Sequence, residues 1–365
     1  MSDLLDRLRA WTWRSQGLDR EAESPRQALA TAICAYSSHP SGPLTLLARG
    51  RFDAAAFAAL ERDRHAIRLP GPRGSIFLLP VETAARIRAA SDVPFAKLLP
   101  RLQWAGLDLA AYEALKPRVL DALAEPRSAA DLERAVPVPG VKVDVVARTM
   151  AHEGLVLRIA ESLRADRLRY VATAAWLGHP LEPVEPEPAR AWLAAEYLRA
   201  FGPASVEDFA WWAGLTRSAA RAAMAAVETV DIGDGLLLPA ALEREWQAAP
   251  SVAPEALALV PKWDAYTMGL GPRGRRRLIA DDHLALAYSR GGTGGAGATS
   301  GDGLPLVLRG GRAIANWSHT FSGAHMNVTV RPWEPATFDV AELQPPLDEI
   351  AAFLGATSVS VAIAS

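Results

Sequence analysis

The chain has 365 residues, half of them apolar, which is long enough for more than one hydrophobic core. Its 39 lysines and arginines are balanced by 41 aspartates and glutamates, and the formal charge of −2 excludes a protein that is basic as a whole. Any nucleic-acid partner therefore needs a local cationic patch. The single cysteine, Cys34, excludes an intramolecular disulfide and a cysteine-based metal site.

The sequence also limits the compartment and the prosthetic groups. No run of 18 uninterrupted apolar residues occurs, and the first 18 residues are amphipathic and charged rather than signal-like. We therefore expect a cytoplasmic protein with no membrane partner. His283, His319 and His325 lack the i, i+4 spacing or a cysteine partner that indicates zinc, so we expect no metal and no cofactor.

The first hundred residues predict helices followed by a β-hairpin. Apolar spacing indicates a helix over 2–16 that Gly17 ends, and Ser24-Pro25 has the cap and first-turn residues of a second helix, which the pattern extends to Ser37. Two more helices are predicted over 43–49 and 53–64. Two apolar runs around the turn 70–74 then predict a hairpin.

The same order of helices and a hairpin recurs twice. Helices are predicted over 112–124, 128–135 and 143–153, before the paired runs 155–160 and 167–172. A proline-rich connector, 179–188, leads to a third unit. There Ser205 and Asp208 form a capping box, Thr216 caps a second helix, and two short β runs flank the turn at Gly233. Helix, turn, helix and hairpin make a winged helix.

After residue 250, short apolar or alternating runs separated by turns predict a small antiparallel barrel or sandwich. Strands are expected over 256–261, 277–280, 283–288, 304–309, 313–317 and 326–332. The glycine-rich stretch 291–303 is predicted to be a mobile loop, and the acidic tail to contain a helix over 347–354 and a closing strand over 358–363. The predicted fold class is α+β, with three tandem winged-helix units and a small C-terminal β-barrel. The predicted domains are 1–100, 101–178, 179–250 and 251–365.

Seven short motifs spread along the chain carry a family resemblance. They are WRSQGL (Trp13 to Leu18), LLAR (Leu46 to Arg49), RGS (Arg73 to Ser75), EGLV (Glu153 to Val156), YLRAFGPA (Tyr197 to Ala204), DFAWWAGL (Asp208 to Leu215) and PKWDAYTMG (Pro261 to Gly269). In these motifs the chain resembles the winged-helix DNA-binding proteins of the family that includes the bacterial alkylpurine and crosslink-repair DNA glycosylases.

The resemblance implies a curved body that holds double-stranded DNA, in an alkylated form, on its concave face. It also implies a catalytic motif of a glutamine, an apolar residue and a second glutamine or an aspartate. Counted back from Leu46, those positions fall on Ala35, Tyr36 and Ser37, or one residue later. Neither register supplies an amide or a carboxylate, so the catalytic pair of the family is missing.

Three residues are candidates for chemistry in its place. Ser37 and His39 lie at the lost motif and invite a hydrolytic interpretation, although a helix end before Pro40 is also a natural place for a capping serine and a solvated histidine. Asp264 could stabilise positive charge on a departing sugar from a DNA cleft. An aspartate at a turn equally often binds backbone amides.

Nine basic residues are candidates for phosphate contacts. Four lie in the densest positive run, which could also be a solvated turn, and one precedes that run. Three lie on predicted recognition helices, and one lies in the first hairpin turn. Each could also be an ordinary surface residue. They are Arg273, Arg275, Arg276, Arg277, Lys262, Arg148, Arg217, Arg221 and Arg73.

These patterns lead to a DNA-binding protein related to glycosylases that excise alkylated bases, with its excision activity in question. If it is an enzyme, it is a monofunctional glycosylase that hydrolyses the N-glycosidic bond. The alternative is a non-catalytic regulator or a module that protects lesions, and a third hypothesis is that the winged helices contact proteins. We expect a monomer.

Overall fold

A computed structural model describes residues 2–288, 302–334 and 339–364, and helices alternate there with short strands. The helices are α1 (Ser2–Ser15), α2 (Pro25–Thr31), α3 (Ser41–Leu47), α4 (Ala54–Arg62), α5 (Val81–Ala90), α6 (Leu99–Trp104), α7 (Leu109–Ala122), α8 (Ala129–Ala135), α9 (Val143–His152), α10 (Thr173–Leu177), α11 (Pro186–Phe201), α12 (Val206–Ala213), α13 (Arg217–Ala225), α14 (Glu243–Ala248), α15 (Ala265–Met268), α16 (Leu284–Ala287) and α17 (Val340–Phe353). The strands are β1 (Ala35–Tyr36), β2 (Ala66–Pro70), β3 (Ile76–Pro80), β4 (Val156–Ala160), β5 (Leu168–Ala172), β6 (Thr229–Asp231), β7 (Leu237–Pro239), β8 (Leu257–Val260), β9 (Leu306–Arg309), β10 (Arg312–Ser322), β11 (His325–Pro332) and β12 (Ser358–Ile363). No helix in these ranges is both long and apolar enough to cross a bilayer.

Helix starts that depend on local capping are confirmed. The Ser24 hydroxyl accepts a hydrogen bond from the amide of Gln27 at the start of α2, and Thr216 caps α13 in the same way. At α12 the box is reciprocal, because Ser205 accepts the amide of Asp208 while the Asp208 carboxylate accepts the amide of Ser205. Caps act within one turn of the chain, so the sequence alone identifies them.

The second helix is shorter than predicted. It ends at Thr31, Ile33 adopts a left-handed φ of 66°, and Ala35–Tyr36 forms β1 instead of the predicted helix end. Tyr36 pairs with Phe77 of β3, a partner 41 residues away. This long-range strand pairing overrides the local helical pattern of an alanine-rich segment.

The hairpins of the first two predicted units are confirmed, but they share one sheet. Its order is β1-β3-β2-β4-β5, with antiparallel pairing throughout. Arg68 of β2 lies opposite Arg158 of β4, which joins the two hairpins. The third hairpin, β6 with β7, forms a separate two-stranded sheet behind α12 and α13.

The C-terminal strands form an open sheet of order β12-β11-β10-β9-β8, and none of the sheets in the described residues closes into a barrel. Two predicted strands are absent. Residues 277–280 lie in a 3-10 turn and its exit, and 283–288 contain α16, because Leu284, Ala287 and Tyr288 are buried at helical spacing. The closing strand β12 is confirmed but runs parallel to β11 after the crossover helix α17.

Two other expectations concern segments between these elements. The connector 179–188 is irregular only as far as Glu185, since Pro186 occupies the first turn of α11, where proline is tolerated. The predicted mobile loop 291–303 lies outside the described residues except at Asp302 and Gly303.

Candidate nucleic-acid cleft

An open cleft of about 790 Å³ lies between the first sheet, the helices α6 and α9, and the segment before α15. Its lining combines Tyr36 to Ser38, where the resemblance leads us to expect the catalytic motif, with cationic side chains from three parts of the chain. The lining residues are Tyr36, Ser37, Ser38, Arg73, Gly74, Ser75, Ile76, Arg101, Arg148, His152, Arg158, Asp166, Leu168, Lys262, Trp263 and Asp302. Four sequence candidates therefore meet here: Ser37, Arg73, Arg148 and Lys262.

The segment after β1 is held by the sheet and by a buried arginine. The amide of Ser37 donates to the carbonyl of Ile76 at 3.1 Å. The Arg68 guanidinium donates to the carbonyl of Ser37 and forms two 2.7 Å bonds to the Glu61 carboxylate of α4. Ser37 thus lies on a fixed backbone and is 5% exposed.

The cleft carries more positive than negative charge. Among the described lining residues, five cations face two carboxylates, an excess of three positive charges. The carboxylates already have partners. Asp166 accepts the amide of His39 at 2.6 Å, and Asp302 accepts the indole N–H of Trp263 at 2.7 Å and lies 3.1 Å from the Lys262 ammonium.

Arg158 is a half-buried cation of this lining. It comes from β4, forms no ion pair among the described residues, and has a buried Nε without a hydrogen-bond partner there. Burial lowers the pKa of its guanidinium from the usual value, with further lowering by Arg148 and Arg101. Arg148 is half exposed and is held by Asp144 at 2.6 Å and by the Tyr170 hydroxyl at 3.1 Å.

Arg73 is fixed by a strained turn and by aromatic rings. Its backbone is left-handed, with φ of 57°, in the 3-10 turn between β2 and β3. The guanidinium donates to the Tyr36 hydroxyl and lies 4.2 Å from the centre of the Trp211 ring. Gly214 at the end of α12 packs against the same turn, since a Cβ there would lie 3.0 Å from the Arg73 Cα.

His152, the last residue of α9, is an uncharged base in this lining. Burial lowers the pKa of its imidazole, Arg101 and Arg158 lower it further, and Asp92 opposes them. Within the described residues its ring makes no hydrogen bond, whereas its carbonyl accepts a 3.5 Å bond from Arg88. The imidazole is therefore available to water or to a ligand.

His39 faces away from the cleft. Its Nε2 accepts a 2.6 Å hydrogen bond from Arg68, and its ring packs edge-on against Phe57. Burial, together with the Arg68 charge, lowers the pKa of His39 to about 3. Ser37 and His39 make no hydrogen bond to each other, and the histidine lines a separate apolar pocket beside Glu61.

Asp264 lies in the protein interior. Its carboxylate forms a bidentate pair with Arg49 at 2.8 and 2.9 Å, and both side chains are inaccessible to solvent. It also accepts the amide of Tyr266 at 2.8 Å, and Arg49 contacts the Gln16 side chain at 3.3 Å. This geometry is that of an aspartate bound to a backbone amide, and Gln16, Arg49 and Asp264 come from three family motifs.

The remaining arginine candidates lie outside the cleft. Arg277 is buried and donates to the carbonyl of Pro203 at 2.9 Å, and Arg275 is buried 3.7 Å from the centre of the Tyr288 ring. Arg276 pairs with Asp281 at 2.9 Å on the surface. Arg217, Arg221 and Arg273 are exposed as well.

Several cleft residues were missed in the sequence. Arg158 interrupts the apolar run 155–160, and a charge inside such a run was the available signal. Arg101, His152 and Asp166 have no comparable signal, because only the tertiary fold brings them together. No group of three histidine, cysteine or acidic side chains is placed to hold a metal ion in the described parts of the chain.

Comparison with known proteins gives two matches. The profile of the family described as DNA glycosylase AlkZ-like matches residues 36–355. Among solved structures, the Streptomyces sahachiroi DNA glycosylase AlkZ superposes with a TM-score of 0.76 over 98% of this chain and 99% of that chain, at 18% sequence identity. A search of curated protein sequences finds no match.

Proposed function

The chain belongs to the family of AlkZ-like DNA glycosylases, and on that basis we propose that it binds alkylated duplex DNA in the cleft around Tyr36. The observation that carries the proposal is the convergence of cationic side chains from separate elements on the segment that follows β1. A duplex presents closely spaced phosphates, and cations that neutralise them release counterions and gain affinity.

The proposal includes the architecture that the sequence suggests. We interpret the helices and hairpins of 1–100, 101–178 and 179–250 as winged-helix units and 251–365 as a fourth part. In this arrangement the wing of the first unit carries Arg73, and the last helix of the second unit carries Arg148 and His152. In this proposal the third unit and residues 251–365 support the cleft. The exposed helix α13 of the third unit does not enter a DNA groove.

Excision in this cleft requires a group that takes a proton from water. At residues 35–38 no amide or carboxylate is present, and the two cleft aspartates already accept hydrogen bonds. Among the described lining residues we assign this step to the neutral imidazole of His152, whose ring makes no hydrogen bond to them. The water oxygen would attack C1′ of the nucleotide, the N-glycosidic bond would break with its electron pair on the base, and the water proton would pass to His152.

Salt-dependent binding tests the cleft. We expect Arg101→Ala and Arg158→Ala each to weaken duplex binding and to reduce the slope of log K against log salt concentration by about 0.9, the loss of one phosphate contact. Fluorescence anisotropy with a labelled duplex over a series of salt concentrations measures both quantities.

Arg217→Ala and Arg276→Ala are matched controls, because they remove exposed arginines outside the cleft. We expect both to bind as the unchanged protein does. If Arg217→Ala reduces the slope and the cleft variants do not, the duplex lies on α13 instead and the proposal is wrong.

The alternative is a non-catalytic protein that masks lesions, which the lack of an amide or carboxylate at 35–38 favours. Incubation with an alkylated duplex followed by heating in alkali separates the two functions. Strand breaks require an abasic site and indicate excision. Tight lesion binding without breaks indicates the masking protein, and no binding to any duplex at low salt indicates protein contacts.

A further inference from the structure

Trp104 at the end of α6 and Lys142 just before α9 form an exposed pair, here called the tip, outside the residues that line the cleft. Trp104, the last residue of α6, is 69% exposed, the largest value among the large apolar side chains of the described residues. The Lys142 ammonium lies 4.4 Å from the centre of its ring. Leu109, the first residue of α7, is also exposed, at 48%.

Backbone contacts join the segment after Trp104 to the segment before Lys142. Gly106 has a φ of 85°, and a Cβ there would lie 2.7 Å from the carbonyl oxygen of Gly140. The amide of Lys142 donates to the carbonyl of Ala105 at 3.4 Å, which closes the same contact from the other side. The two loops that carry Trp104 and Lys142 therefore hold each other in place.

The tip continues the wall of the cleft. Arg101 lies one helical turn before Trp104 on α6, and it lines the cleft. Lys142 directly precedes α9, whose residues Arg148 and His152 line the cleft as well. Along the axis of α9, Lys142 lies ten residues, or about 15 Å, from His152.

Charge and size favour a nucleic acid as the occupant. Lys142 has no ion pair in the described part of the chain, and Asp144, the carboxylate nearest to it in sequence, pairs with Arg148 at 2.6 Å. Asp108, the carboxylate nearest in sequence to Trp104, caps α7 through the amide of Ala111 at 2.8 Å. Two exposed apolar side chains are too small an area for a stable protein interface, which buries over about 1,200 Å². A single unstacked base matches one indole face.

We propose that Trp104 stacks on an unpaired base of the bound DNA while Lys142 contacts the neighbouring phosphate. This inference rests on the proposed function, because it requires the duplex to lie in the cleft. It adds a contact to a base, beside the contacts to the DNA backbone, near the first residue of α9. The protein then recognises duplexes with a disturbed stack more tightly than intact ones.

The test compares two labelled duplexes of equal length, one intact and one with a single unpaired nucleotide, bound to full-length protein at several salt concentrations. We expect Trp104→Ala to weaken binding of the second duplex about tenfold and to leave the salt slope unchanged. Trp104→Phe keeps a ring and should restore most of the affinity. Leu109→Ala is the matched control, because it removes an exposed apolar side chain that has no π face. We expect this variant to bind both duplexes normally.

Normal binding of both duplexes by Trp104→Ala overturns the inference and leaves the proposed function intact. A fall in the salt slope of Trp104→Ala also overturns it, because stacking does not depend on released ions. A change in oligomeric state alone would assign the tip to a protein partner. If the unchanged protein binds neither duplex, the proposed function and this inference both fail.

Discussion

His39 shows how one buried residue makes stability depend on pH. Its pKa is about 3 in the folded protein and close to 6.5 when the chain is unfolded. Above pH 6.5 the imidazole is neutral in both states and contributes no pH dependence. As the pH falls from 6.5 towards 3, only the unfolded state takes up this proton, so the folded state loses stability.

We predict that wild-type protein loses up to about 1.4 kcal/mol per pH unit from this group over that window, and that His39→Gln does not. Glutamine retains an acceptor for the Arg68 guanidinium but does not titrate. Urea unfolding at pH 7, 6 and 5 measures the difference between the two proteins, so that carboxylates common to both cancel. Parallel stability curves would contradict the assignment.

Asp264 and the arginine candidates show that residue type and motif do not determine burial. Asp264 sits in a family motif and has the right chemistry for a DNA cleft, but its partner Arg49 is 215 positions away and the pair is buried. Arg73 and Arg148 reach the cleft, whereas Arg277 of the same predicted group is buried. Whether a side chain is buried depends on which distant segments pack against it, and the type of residue does not determine this.

Elements defined by local rules were predicted well, and elements defined by distant partners were not. The caps of α12 and α13 and the turns of three hairpins depend on residues only a few positions apart. The strand β1 instead depends on its pairing with β3, and the short helix α16 depends on its contact with β10 of the C-terminal sheet. The helix Leu284–Ala287 has only four residues, and a run this short has too few apolar positions to distinguish helical from strand spacing.

The end of α12 packs against the turn between β2 and β3. Gly214 has a φ of 75° and touches the turn that carries Arg73, so Gly214→Ala should strain its own backbone by roughly 1–2 kcal/mol and also displace that turn. We expect lower thermal stability together with weaker duplex binding, measured by calorimetry and anisotropy.

Gly178→Ala is the matched control. Gly178 has a similar φ of 83°, but a Cβ there meets no atom within 4 Å. This variant should lose comparable backbone stability and bind duplex normally. Equal binding by the two variants would show that the contact between α12 and the Arg73 turn does not position the guanidinium.

The predicted units differ in how far each depends on distant segments for its core. The core of the second unit draws its buried residues from 102–172 alone. The cores around the first unit are completed by distant segments, with Leu157 and Tyr197 in one, and Val307 and Leu347 in the other. The linear order of domains in the sequence does not reveal this sharing.

We therefore predict that a fragment of residues 101–178 folds by itself and that a fragment of residues 1–100 does not. A cooperative thermal transition by circular dichroism and dispersed amide resonances should be observed for the first and not for the second. A folded 1–100 fragment would show that the shared sheet and cores are not needed for the first unit.

The buried pair of Arg49 and Asp264 also has a consequence for synthesis. Arg49 leaves the ribosome 215 residues before the carboxylate that neutralises it, a delay of about 10–40 s at usual elongation rates. A guanidinium cannot be buried unpaired at low cost, so the segment around Arg49 must stay open until residue 264 emerges. The N-terminal part of this protein is thus synthesised first, but the packing around Arg49 is completed only after residue 264 has been synthesised.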